Sequence, residues 1–149
     1  FITMSKNTYI IIGAAALLVV GGFFLLQGSE VQAPAEEQAA QGSVPSEATV
    51  TYTDQGFSPK EVLVSQGGTV MFFNQSSRDM WPATAMHPTH TVYPGSDIEK
   101  CATPEAPRLF DACGSIVPGE SWSFSFQEQG SWGYHDHLNV SNTGRITVQ

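Results

Sequence analysis

The sequence predicts an all-β sandwich, and three observations support this fold class. After residue 48, short runs rich in β-branched and aromatic residues alternate with Gly, Pro, Asn and Asp turn signals. Residues 121–126 alternate strictly between serine and an aromatic residue, which is the period of a strand buried on one face. No stretch after residue 48 has the periodicity of an amphipathic helix. About seven short strands in about 100 residues are typical of a sandwich.

The first predicted element is an apolar run of 18 residues without a charge, at residues 9–26. A membrane-spanning helix needs about 17–25 such residues, whereas the apolar core of a signal peptide has about 7–15. The length therefore favours a retained transmembrane anchor over a cleaved signal segment, although residues 33–35 offer small side chains for cleavage. Lys6 precedes the run, so the positive-inside rule places residues 1–8 in the cytoplasm and the rest in the periplasm or at the cell surface.

The second predicted element is a disordered linker at residues 27–48. This stretch consists mainly of Gln, Ala, Glu, Ser and Pro, and it has too few apolar side chains to offset its ordering entropy. Residues 49–149 remain as one small domain. The whole chain has 6 Lys and Arg against 14 Asp and Glu, a formal charge of −8. Nucleic acid is thereby excluded as a partner, because phosphate recognition needs clustered basic residues.

Within the domain, seven strands are predicted, with one unusually long connection between the fourth and the fifth. The strands cover residues 49–53, 61–65, 69–74, 90–93, 121–126, 131–137 and 145–148. The connection runs from residue 94 to 118 and contains the two cysteines, Cys101 and Cys113. Their spacing in an exported chain predicts a disulfide rather than a thiolate metal ligand. Closing a loop of this size stabilises a fold by roughly 3 kcal/mol in the chain-entropy model.

The four histidines form two close pairs, His87 and His90 in an H-P-T-H run and His135 and His137 in an H-D-H run. Residues i and i+2 of a strand share a face, so the second pair is predicted to project together. The pairing predicts a metal site, with four unrelated surface histidines as the alternative. Imidazole suits copper and zinc, and affinity for divalent ions peaks at copper. Asp136 lies between two candidate ligands but points away by strand alternation, so it joins them only if the strand end twists.

Several further motifs occur in a fixed order along the domain. Residues 56–64 and 68–74 open it, residues 118–126 follow the long connection, and residues 130–148 close it. In this order they resemble the cupredoxins, the Greek-key copper β-sandwiches. The resemblance implies a Greek-key sandwich, a copper ion and a role in electron transfer.

The blue-copper ligands of that family do not carry over to this sequence. Counting back from Gly144 places Asp136, Asn139 and Asn142 where the family has Cys, His and Met. A site without a thiolate does not form a blue centre. Residues 132–137 and the H-P-T-H run are instead similar to histidine motifs of multicopper oxidases, in which one domain supplies only part of a copper cluster.

Together these observations predict a membrane-anchored, extracytoplasmic protein that binds one copper ion through His87, His90, His135 and His137. Its predicted role is copper handling or electron transfer, with a redox or copper-transfer protein as partner and the membrane contacted through the N-terminal helix. A copper-dependent redox enzyme of type-2 character is one alternative, so enzymatic activity stays open. An interaction module without metal, or one stabilised by zinc, is the other.

Overall fold

A computed structural model of the chain describes residues 42–149. It contains eight strands, β1 (Glu47–Thr53), β2 (Gly56–Ser58), β3 (Glu61–Val64), β4 (Thr69–Asn74), β5 (Pro82–Thr84), β6 (Ser121–Ser125), β7 (Gly130–Asp136) and β8 (Asn139–Val148). Two short 3-10 helices, Ile98–Ala102 and Ala106–Arg108, lie between β5 and β6. No helix among the described residues is long and apolar enough to cross a membrane. The predicted anchor at residues 9–26 and most of the predicted linker lie outside the described residues.

The strands form two four-stranded sheets that enclose one apolar core, which confirms the all-β, two-sheet prediction. The first sheet has the order β2-β1-β4-β6 and the second the order β3-β8-β7-β5. β1 pairs with β4 in parallel, and β3 pairs with β8 in parallel. Parallel neighbours need a crossover connection, and here the chain passes to the second sheet at β3 before it returns at β4.

Strand alternation decides which side chains enter the core. In the segment around β6, Phe124 and Phe126 are buried while Ser121, Ser123 and Ser125 are exposed, as the sequence predicts. Each aromatic or aliphatic side chain buried in this way contributes about 1.5–3 kcal/mol. The largest fully buried apolar side chains come from both sheets and from the long connection: Tyr52, Phe72, Met80, Leu109, Phe110, Phe126, Tyr134 and Ile146.

The predicted strand at residues 90–93 is wrong. The backbone of His90 has a φ of 57°, which is outside the range of a strand, and its N–H donates to the carbonyl of Met86 at 2.7 Å. These residues therefore close a turn and continue as loop. Two strands were not predicted, β2 and β5, because three residues are too few to show a period. β1 begins at Glu47, inside the predicted linker.

The long connection between β5 and β6 is held in place by a disulfide and by packing against the core. Cys101 and Cys113 form a disulfide with their Cα atoms 5.2 Å apart, which confirms the predicted pairing. Phe110 is fully buried, and its carbonyl accepts a hydrogen bond from the N–H of Thr84 in β5. The segment that carries Asp111 therefore runs beside β5 and forms a bridge with Ala83. The connection thus reaches the end of the second sheet where the histidines lie.

Candidate metal centre

Pairing of β5 with β7 brings the two histidine pairs together. His87 and His90 lie in the turn that follows β5, His135 lies in β7, and His137 directly follows that strand. Ala83 of β5 is the register partner of His135, so the turn after β5 folds over the end of β7. The structure thus gathers all four histidines that the sequence singled out, although they are separated by about 50 residues of chain.

The four imidazoles form a compact cluster. Their ring centroids are between 4.8 and 6.4 Å apart. One nitrogen of each ring lies within 4.8 Å of the corresponding nitrogens of the other three. Two ligands on opposite sides of one ion, each at a bond length of about 2.0–2.1 Å, are about 4.2 Å apart. The cluster is therefore compact enough to be a candidate site for one metal ion.

The burial of these histidines also indicates a metal site. His90 is fully buried and His135 is 4% exposed, whereas His137 is half-buried and His87 is exposed. The Nε2 atom of His135 is buried and has no hydrogen-bond partner among the described residues. A buried polar atom without a partner costs about 1–3 kcal/mol, so such atoms need an explanation. A metal ion bound at this nitrogen would satisfy it, and the all-imidazole donor set fits copper or zinc.

The cluster also keeps the imidazoles of His135 and His137 neutral. Burial, reinforced by the neighbouring His90, His87 and His137, lowers the pKa of His135 to about 4. The pKa of His137 is lowered as well, mainly by burial and then by repulsion from His90 and His87. Only a neutral imidazole offers a lone pair to a metal. These two side chains are therefore ready to bind an ion at neutral pH.

A carboxylate that the sequence analysis did not identify forms a hydrogen bond with one histidine of the cluster. The Oδ2 atom of Asp111 lies 2.6 Å from Nδ1 of His90, and both side chains are fully buried. Its Oδ1 atom accepts hydrogen bonds from the indole Nε1 of Trp81 at 2.6 Å and from the backbone N–H of Cys113 at 2.7 Å. Burial alone raises the pKa of Asp111, but the bonds from His90, Trp81 and Cys113 outweigh it and hold that pKa below its usual value.

Asp136, the additional candidate ligand, is not brought to the cluster. Its Oδ2 atom accepts a hydrogen bond from the hydroxyl of Tyr52 at 2.6 Å, and its Oδ1 atom accepts from the backbone N–H of Trp81 and of Leu138. The side chain therefore faces away from the histidines, as strand alternation predicts. Asn142 donates to the same Tyr52 hydroxyl at 2.9 Å. Two of the positions that align with blue-copper ligands thus belong to one hydrogen-bond network instead.

Neither cysteine offers a thiolate to this centre. Both are consumed by the disulfide, and no cysteine of the chain is free. Asn139, at the third position that aligns with a blue-copper ligand, is exposed and accepts a hydrogen bond from Ser141. The centre is therefore an all-histidine site without a Cys ligand, in agreement with the sequence.

Comparison with solved structures identifies the fold. A purple cupredoxin from Nitrosopumilus maritimus superposes with a TM-score of 0.52 at 16% identity, over 68% of this chain and 99% of that one. A reduced amicyanin mutant gives 0.53 at 16% identity, over 75% and 87%. A copper-containing nitrite reductase from Thermus scotoductus SA-01 gives 0.50 at 19% identity, over 77% of this chain but 24% of that enzyme. No protein-family model and no curated protein matches the sequence. The described residues thus have the cupredoxin fold.

Proposed function

We propose that this protein binds one copper ion through His87, His90, His135 and His137 and serves in copper handling or electron transfer. The observation that carries the proposal is the buried, unpartnered Nε2 of His135 within a cluster of four imidazoles. The solved structures with the same fold add support, because they include purple cupredoxin and a copper-containing nitrite reductase.

Copper is favoured over zinc by the order of affinities for divalent ions, which peaks at copper for nitrogen ligands. Zinc also binds neutral imidazole, so a competition experiment has to separate the two metals. None of the solved structures compared above supports zinc. The absence of a thiolate ligand predicts a copper spectrum without the intense Cys-to-copper absorption of a blue centre.

The four histidines differ in burial and therefore have different roles in the proposed site. A bound copper ion would supply one-electron redox chemistry, and the residues decide how it is held and reached. His90 and His135 are buried and form the inner part of the donor set, while His137 packs against Trp81 with ring centroids 4.4 Å apart. His87 is exposed and forms the side that faces solvent. A metal donor or an electron-transfer partner therefore reaches the centre at His87.

An exposed surface that includes Met86, His87 and Val140 supports a protein partner for this role. Three exposed apolar side chains lie close to the histidines along the chain: Met86 (64% exposed), Leu138 (50%) and Val140 (51%). Exposed apolar side chains that adjoin a site are common where proteins dock. We propose a redox or copper-transfer protein as the partner that contacts this surface.

The proposed location is the extracytoplasmic side of a membrane. The apolar run at residues 9–26 is long enough to anchor the chain, and the Cys101–Cys113 disulfide is of a kind that persists in oxidising compartments. A test is to fractionate cells that express the full chain and to ask whether it stays with the membrane after a high-salt wash. Recovery in the soluble cytoplasmic fraction, with both thiols reduced, would contradict this location.

Copper titration of the metal-free full chain tests the function directly. We expect one equivalent of Cu(II) to bind, with nitrogen coupling in the paramagnetic resonance spectrum and preference over zinc in competition. The variants His135→Ala and His90→Ala should weaken binding at least tenfold, because each removes a donor. Asn139→Ala is the matched control, since Asn139 is exposed and lies outside the cluster. Binding should also weaken as the pH falls towards about 4, where His135 becomes protonated and can no longer offer a lone pair.

Other outcomes of this titration would replace the proposal. If neither copper nor zinc binds at neutral pH, the domain is an interaction module and its histidines are incidental. If zinc binds more tightly than copper and is present in the protein purified from its host, the site is a zinc centre. If the Cu(I) form reacts rapidly with oxygen species and turns over, the type-2 redox enzyme is the better description.

A further inference from the structure

Asp111 is, among residues 42–149, the one buried carboxylate that forms a hydrogen bond with a ring nitrogen of a candidate ligand. Its Oδ2 atom lies 2.6 Å from Nδ1 of His90, and neither side chain is exposed. An ionised carboxylate can only accept hydrogen bonds, so Nδ1 of His90 must carry the proton. In a neutral imidazole the other nitrogen, Nε2, then keeps its lone pair.

The free nitrogen of His90 points into the cluster. Its Nε2 atom lies 2.9 Å from Nδ1 of His137, and both residues belong to the cluster that could hold a metal ion. A metal-binding imidazole typically donates its second N–H to a carboxylate or carbonyl, which fixes both the ring orientation and the tautomer. Asp111 stands in that position relative to His90.

The orientation of Asp111 is itself fixed by two further donors. The indole N–H of Trp81 and the backbone N–H of Cys113 both donate to Oδ1, at 2.6 and 2.7 Å. Neither group can accept a hydrogen bond, so the atom at this position must remain an acceptor. Cys113 is held in turn by its disulfide to Cys101. The carboxylate therefore presents its other oxygen, Oδ2, to His90 in a rigid frame.

We propose that Asp111 is a positioning residue that selects the Nδ1–H tautomer of His90 and so makes Nε2 a ligand nitrogen. Its importance for copper rests on the proposed function, but the tautomer is a property of the metal-free protein. Loss of such a supporting contact typically lowers metal affinity by about 10–100-fold.

The variant Asp111→Asn tests the proposal because it keeps the shape and reverses the hydrogen-bond polarity. The amide has one oxygen, and the donors from Trp81 and Cys113 require that oxygen on their side. Its NH₂ group then faces Nδ1 of His90, which has to accept, and the proton moves to Nε2. Nitrogen-15 NMR of metal-free protein at mildly alkaline pH reads the tautomer directly. We expect Nδ1–H in the native chain, Nε2–H in the variant and a 10–100-fold loss of copper affinity.

Asp97→Asn provides the matched control. Asp97 lies in the same long connection and accepts a hydrogen bond from the backbone N–H of Glu99, but it is not part of the histidine cluster. The same chemical change there should leave both the tautomer of His90 and the copper affinity unchanged. A structural effect of losing any carboxylate in this connection would instead appear in both variants.

The measurements separate this inference from the proposed function. An Nε2–H tautomer in the native metal-free chain overturns the positioning role, and this result needs no variant that folds. Copper binding that is equally tight in Asp111→Asn, with an unchanged tautomer, also overturns it. A native Nδ1–H tautomer that reverses in the variant, in a chain that binds no copper, would support tautomer selection and contradict the proposed function.

Discussion

His135 shows how its surroundings change the chemistry of a single side chain. It is almost fully buried, and it faces His87, His90 and His137, with Asp136 as the adjacent charge. Burial and the neighbouring imidazoles bring its pKa to about 4, while that of an unfolded histidine is about 6.5. In the folded, metal-free protein His135 therefore stays neutral at a pH at which it is protonated in the unfolded chain.

This difference predicts an acid-sensitive metal-free protein. Because the pKa of His135 is lowered on folding, the stability it contributes is complete above about pH 6.5 and is lost as the pH falls towards 4. We expect the free energy of unfolding to decrease by up to about 3 kcal/mol over this interval. Urea denaturation in the presence of a chelator measures it at each pH. The lowered pKa of Asp111 acts at lower pH, below the usual carboxylate range.

The matched comparison for this prediction is the variant His135→Gln. It replaces the titrating ring with a neutral side chain, so the dependence of stability on pH should become shallower. A native protein whose stability is the same at pH 7 and near pH 4.5 would contradict the lowered pKa of His135, because its linkage to folding follows from that shift.

For individual residues, the sequence predicts the candidate ligands better than the carboxylate that forms a hydrogen bond with one of them. The four histidines are recognisable because they occur in two short pairs, and the strand period places His135 and Tyr134 on opposite faces. Asp111 gives no such signal, since it lies 21 residues after His90. Its position depends on the turn at His90, where φ is positive, and on the loop held by the disulfide. A pattern of residue types does not encode these loop conformations.

The hairpin of β7 and β8 has a close fit between an aromatic ring and a glycine. Tyr134 of β7 is paired with Gly144 of β8, and its ring lies over that glycine. Tyr134 is 1% exposed, and its hydroxyl has no hydrogen-bond partner among the described residues. A Cβ atom built on Gly144 would overlap the ring of Tyr134. Glycine at this position therefore makes room for the core aromatic side chain.

We predict that Gly144→Ala lowers the free energy of unfolding by about 1–3 kcal/mol, because the added methyl group forces the buried ring to move. Gly133→Ala, in the paired strand, is the control. Its new Cβ atom would meet only the Cβ of Ala85, at 3.8 Å, which is an ordinary contact. We expect a change within about 0.5 kcal/mol there. Equal losses in the two variants, measured by urea denaturation, would argue against the steric explanation.

The strands differ in how far the sequence determines them. β4 was predicted with its observed bounds, Thr69–Asn74, because this run is rich in β-branched and aromatic residues and follows a pair of glycines. β5 was missed because it has three residues, all buried, and begins at Pro82. Its pairing with β7 brings the two histidine pairs together, so the element with the weakest sequence pattern positions the candidate metal centre. Tertiary pairing, rather than local propensity, stabilises such a strand.

At the scale of the whole molecule, the long connection contributes both to the core and to the centre. It places Leu109 and Phe110 in the interior and Asp111 behind His90, and the disulfide closes it between Cys101 and Cys113. The sequence predicted the disulfide but not this packing. A loop that is covalently closed and has Leu109 and Phe110 buried in the core links global stability to the geometry of the histidines.

The double variant Cys101→Ser/Cys113→Ser should therefore lose both stability and copper affinity. We expect the free energy of unfolding to fall by about 3 kcal/mol, because the unfolded chain has more conformational entropy when the loop is not closed by the disulfide. Calorimetry and copper titration measure the two losses. The native protein treated with a reducing agent is the companion sample, because these are the only two cysteines of the chain. Copper affinity that survives both treatments unchanged would show that Asp111 is held without the disulfide.

The pairing of β5 with β7 also sets the order of events when the chain is made. Ala83 pairs with His135, so one half of the centre is synthesised well before the other. β8 then lies between β3 and β7, and the second sheet closes only after this strand is available. Contacts between such distant residues are slow to form, because a long loop has to be closed first. A nascent chain that lacks β7 therefore presents only His87 and His90, so metal binding by all four histidines, if the proposed function holds, would report completed folding.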